Sequence, residues 1–124
     1  MNSKVTTIAQ YVLGVAMLIF GLNKFFGFMP APDLPLKAKI FMTALDSSGY
    51  IFPLLGVFYI LAGILLVTKK AIPFALLILV PVSINIVAFH LKLDPKGVLF
   101  ALIIATLNGY LIYAHWDRFK SLFN

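Results

Sequence analysis

Four side chains of this sequence pair hydrogen-bonding or proton-exchanging chemistry with places in or beside apolar runs: Asn23, Lys24, Asn85 and His90. An amide or an ammonium can hold a carbonyl or anionic group, and an imidazole can exchange a proton near neutral pH. Such groups at membrane depth are expensive, which makes them the first place to look for function. Asn23 and Lys24 close the first apolar run and His90 closes the third, so all three reach the same membrane face. Asn85 stands one helical turn and a half deeper, roughly 7 Å at 1.5 Å per residue. Phe25, Phe89 and Pro81 flank these groups and would line the apolar part of a pocket. The expected site is therefore a polar ligand pocket at one end of the molecule, specified in depth but not in helix rotation. On an ideal helix Asn85 and His90 diverge by about 140°.

Each of these residues also has a structural alternative. Lys24 near a helix end can snorkel to the interface. His90 can cap the last carbonyls of its helix, and Asn85 can bond across helices, worth about 0.6–2 kcal/mol. Pro81 with Ser83 can be a kink. Asn108 lies toward the opposite face and reads as interhelical hydrogen bonding. Tyr59, Tyr110 and Tyr113 read as packing or interfacial residues, and His115 as a solvated residue at the membrane edge.

The elements that must position these groups are four apolar spans, at about 5–27, 48–68, 71–91 and 97–116. A helix needs roughly 20 apolar residues to cross a ~30 Å hydrocarbon layer. With 62% hydrophobic and 11% charged residues in a chain of 124, there is room for one transmembrane domain, 1–124, and little else. The expected fold is all-α: a transmembrane antiparallel four-helix bundle with a short amphipathic helix, about 34–47, between spans 1 and 2. Pro30, Pro32 and Pro35 break the chain after the first span. Asp33 is placed to be the N-cap of the surface helix, with Pro35 in its first turn. Lys69-Lys70 allows only a tight hairpin, and Lys92–Gly97 forms the second. Gly14 and Gly21, then Gly49, Gly56 and Gly63, recur at sevenfold spacing, and the last span offers Ala101, Ala105 and Gly109. Small residues let membrane helices approach closely. The first run is read as a retained span rather than a secretory signal, because it is long and no small-x-small cleavage pattern follows.

Several chemistries are excluded by composition. The net charge of +6 comes from basic residues at membrane ends, which points to anionic lipid and not to nucleic acid. No cysteine is present, so thiol and iron–sulfur chemistry by this chain are out. Glutamate is absent, and Asp33, Asp46, Asp94 and Asp117 lie outside the spans. A proton-coupled pump places a carboxylate inside the bilayer. A Ser-His-Asp arrangement has no acid at a suitable depth, and two histidines at opposite faces do not make a metal site. Unaided catalysis is not expected. Basic residues divide equally between the faces, and only discounting a partly embedded Lys24 places both termini in the cytoplasm.

Gly21-Leu-Asn-Lys-Phe-Phe-Gly-Phe28, the proline-rich stretch after it, and Pro81-Val-Ser-Ile-Asn-Ile-Val-Ala-Phe-His90 together carry a family resemblance. Over nearly its full length the chain resembles the DoxX-like membrane proteins of bacteria. The resemblance implies a multi-pass inner-membrane protein with four helices. Founding relatives are linked to quinone-coupled thiosulfate oxidation or terminal quinol oxidase complexes, others to redox-defence partners, and distant eukaryotic relatives act as chaperones or cargo receptors. Asn23, Lys24, Pro81, Asn85 and His90 match the polar signature of the family. The lack of cysteine departs from its redox-active relatives. The leading expectation is a binding or accessory protein whose pocket takes a quinone-like or lipid ligand, quinone being the one cofactor in view. The alternatives are a subunit of a quinone-linked oxidoreductase, in which His90 exchanges protons, and then a membrane chaperone or structural protein. A drug transporter ranks last, since the first span has no acid. Expected partners are the lipid bilayer, redox-complex subunits and further copies of the chain.

Overall fold

In hydrocarbon a backbone can satisfy its polar groups only internally, so each apolar run closes as a continuous helix. The computed structural model describes residues 3–29 and 33–123, and these are helical throughout apart from turns. The helices are α1 (Ser3–Phe26), α2 (Leu36–Ser47), α3 (Ile51–Thr68), α4 (Ile72–Leu93) and α5 (Val98–Ala114). Short 3-10 turns occupy Pro95–Gly97, Trp116–Arg118 and Lys120–Phe123. Four helices are long and apolar enough to cross a membrane: α1, α3, α4, and α5 with its preceding turn. They pack together, with α2 as the extra helix between the first and second spans.

The start of α2 differs from expectation. Pro30 and Pro32 lie outside the described residues, and the helix begins at Leu36 with Pro35 at the N-cap and no side-chain cap. Asp33 instead meets Lys39 at 3.8 Å, a solvent-exposed pair. Pro35 is still extended at φ −57° and ψ 157°, so the helix starts only at Leu36, too far on for Asp33 to reach the first amides. Ala38 alone in α2 is buried, while Leu36 and Ile40 face outward.

The closest helix pair is α1 with α3, and glycine is the reason. A Cβ on Gly63 would lie 2.8 Å from the carbonyl oxygen of Gly14, and one on Gly56 3.2 Å from that of Gly21. Gly14 thus faces Gly63, and Gly21 faces Gly56, as two successive rungs of an antiparallel pair. Gln10 adds a buried bond, its amide donating to the Leu66 carbonyl at 2.9 Å. On the far side of the bundle α4 packs on α5 through a buried polar pair. Ser83 Oγ donates to Asn108 Oδ1 at 3.0 Å, and Asn108 Nδ2 donates to the Leu76 carbonyl at 3.2 Å. Thr6 and Tyr110 join α1 to α5 through their hydroxyls, 3.1 Å apart. Between these pairs Leu13, Met17, Leu66, Leu76, Leu79 and Leu111 are fully buried. The outward surface is apolar as well, with Phe74, Ile84 and Leu99 exposed as lipid-facing residues would be.

Candidate functional site

The end of the bundle away from the termini holds α2, the end of α4, the Pro95–Gly97 turn and the start of α5. Here α4 stops because Asp94 leaves helical geometry, at φ −147° and ψ 71°. That turn swings Asp94 back under its own helix, where it is 6% exposed. Its carboxylate oxygen lies 3.2 Å from His90 Nδ1, and its carbonyl oxygen lies at the same distance. An ionised carboxylate and a carbonyl can only accept, so Nδ1 carries the hydrogen and, in the neutral ring, Nε2 carries the lone pair. Asp94 lies between the two candidate spans, but its carboxylate turns onto the last turn of α4. Gly97 completes the turn. A Cβ there would strike the imidazole itself, so the ring's seat exists because position 97 has no side chain.

Aromatic rings surround the pair. Phe89 meets His90 edge-on with centroids 5.1 Å apart, and Phe41 of α2 lies 5.8 Å from Phe89. Phe100 of α5 stands 6.3 Å from His90 and 5.3 Å from Phe20 of α1. Phe89 and Phe100 therefore flank a single imidazole with a fixed tautomer, and Phe41 and Phe20 stand behind those two rings. Such a site suits a flat apolar ring with a polar edge: aromatic faces hold the ring and the imidazole meets the edge.

The other predicted residues are placed differently. Asn23 Oδ1 accepts from the Met29 amide at 2.8 Å, tying down the chain after α1. Lys24 is half-buried with its ammonium 4.9 Å above the Phe52 ring centre. Phe25 lays its ring edge on Gly56. Asn85 is exposed, and its amide donates to the Pro81 carbonyl of its own helix at 2.9 Å. Among the described residues no hydrogen bond, ion pair or ring contact joins Asn23, Lys24, Asn85 and His90 to one another. Of the predicted residues, His90 meets Phe89 and Asn85 meets Pro81, both within α4. The reason is rotational: Asn85 and Pro81 lie on the lipid side of α4, as their five-residue and nine-residue offsets from His90 allow.

Sequence reasoning passed over Asp94, Phe41, Phe100 and Gln10. The His90–Asp94 interval of four, at a helix end next to Pro95, was the available signal for the pair. The partners of Phe41 and Phe100 depend on tertiary packing and leave none. A second feature opens on the lipid face between α4 and α5: a groove of about 490 Å³ lined by Val80, Val87, Ala105 and Gly109, with Ser83 and Asn108 at its floor. Those two are already bonded to each other. Among the described residues no three His or acidic side chains group as a metal site would require. Comparisons with protein families, with curated proteins and with solved structures return no match to this chain.

Proposed function

We propose that this chain is a DoxX-like integral membrane protein of the bacterial inner membrane that binds a quinone-like ligand at His90 as a binding or accessory protein. The single observation behind this reading is the His90–Asp94 pair inside a wall of phenylalanines. The hydroxyl of the ligand's reduced, quinol form would donate to the Nε2 lone pair, while Phe89 and Phe100 pack the ring. Lys24 and Asn23 become structural in this reading. The half-buried Lys24 also leaves one cation fewer on the His90 face, which supports cytoplasmic termini.

Titrating the purified protein in nanodiscs with a short-tailed benzoquinol tests the proposal. Saturable binding, weakened about tenfold in His90→Ala as loss of one hydrogen bond implies, is the expected result. Absence of saturable binding in the unmodified protein overturns it.

The fixed tautomer favours one further reading, a subunit of a quinone-linked oxidoreductase in which His90 passes a proton while a partner protein supplies electrons. Quinone-linked respiration that is unchanged by His90→Ala would dismiss that role.

A further inference from the structure

The opposite end of the molecule holds a histidine that the proposed site does not use. His115 follows the last turn of α5, and its Nε2 is buried without a hydrogen-bond partner. Its amide bonds back to Leu111, and its carbonyl accepts from Arg118 at 2.8 Å, so it is the pivot between α5 and the turns beyond. The segment after it is not loose. Phe119 is 1% exposed and belongs to the bundle's hydrophobic core, and Trp116 stacks on Phe123 with centroids 5.7 Å apart.

A neutral imidazole can leave one nitrogen as a lone pair, whereas an imidazolium donates from both and is charged. Burying an unpaired charge costs far more than burying an unpaired polar group. Among the described residues no carboxylate is placed to compensate. The charged and titratable groups at this end are Lys4 and Tyr11 on α1, Lys69 and Lys70 in the α3–α4 turn, Tyr110 and Tyr113 on α5, and Asp117, Arg118 and Lys120 in the C-terminal turns. Asp117 is the one carboxylate among those described residues, and Lys120 holds it at 2.9 Å. Tyr110 is engaged with Thr6, and Lys69 sits over the Tyr11 ring. The dipole at the end of α5 favours a cation, but Nε2 meets no carbonyl that would accept its proton.

We infer that the C-terminal turn is an acid-released latch, docked through Phe119 while His115 is neutral and undocked when the ring takes up a proton. Burial, and then the neighbouring Arg118, push the His115 ring below the usual histidine value. The docked form therefore binds a proton less readily than the released one. Docking is at full strength above the ordinary value of about 6.5 and weakens as pH falls below it.

The chain's single tryptophan, Trp116, adjoins the pivot and reports on it. Its emission should red-shift as the full-length protein in nanodiscs is taken from about pH 8 to about pH 4.5, with a midpoint below the ordinary histidine value. The shift should vanish in His115→Gln and persist in His90→Gln, the only other histidine being thereby controlled. In the unmodified protein the His115 ring resonance should titrate with the same midpoint, which keeps the test decisive if His115→Gln fails to fold. Emission that stays constant with pH, or that shifts without His115 titrating, overturns the inference.

Discussion

Asp94 shows how a helix end alters the chemistry of a side chain. By position it follows the third span and would count as a solvated turn residue. By geometry it is buried and fixes the proton of His90. The seat of that ring depends on Gly97, whose missing Cβ the imidazole occupies. Gly97→Ala should therefore displace His90 and weaken quinone-analogue binding about as much as His90→Ala, roughly tenfold, while leaving the helical circular dichroism unchanged. Retained affinity in Gly97→Ala would show that ring position does not matter. The residue types of the site were legible as His90 and Phe89, because polar and aromatic residues stand out in an apolar run. The divergence of Asn85 from His90 on their shared helix was legible too, but which of them faces the bundle was not, since it depends on which way α4 is turned. That rotation is set by the Ser83–Asn108 bond and the packing of Leu76 and Leu79.

At the level of the helices, glycines do different work in different places. Gly63 has Gly14's carbonyl oxygen 2.8 Å from where its Cβ would stand, and a backbone atom has little freedom to move. Gly63→Ala should cost about 1–3 kcal/mol. Gly109 has open space around it, so Gly109→Ala should be neutral or stabilise by up to about 1 kcal/mol through helix propensity. Thermal unfolding of both variants in one detergent checks the pair, and equal effects would contradict the packing described. The α4–α5 contact makes a separate prediction. A double-mutant cycle with Ser83→Ala and Asn108→Ala should return a coupling of about 0.6–1.7 kcal/mol, the range for hydrogen bonds between membrane helices. Span positions and the glycine stripe were readable from spacing alone. The partner of each glycine was not, because an interval of seven specifies a helix face but not the register against a neighbour.

For the whole molecule, the arrangement that matters is which face meets the cytoplasm. With Lys24 withdrawn among α1 and α3, the face that carries Lys4, Lys69, Lys70, Arg118 and Lys120 holds the larger count of solvent-facing cations. The native chain lacks cysteine, so single replacements can be labelled without background. Lys37→Cys should react with an impermeant maleimide in intact spheroplasts, and Lys120→Cys only after the membrane is opened. The reverse pattern would invert the topology. The rungs of glycine between α1 and α3 have one more consequence. Sliding the two helices by seven residues would set Gly14 against Gly56 and Gly21 against Gly49, a second ladder that looks equally smooth on paper. Gly49, however, is spent outside the helix in a left-handed turn at φ +79°. The alternative alignment therefore loses its second rung, and the bend at position 49 acts as an end-stop that holds the two spans at one height in the membrane.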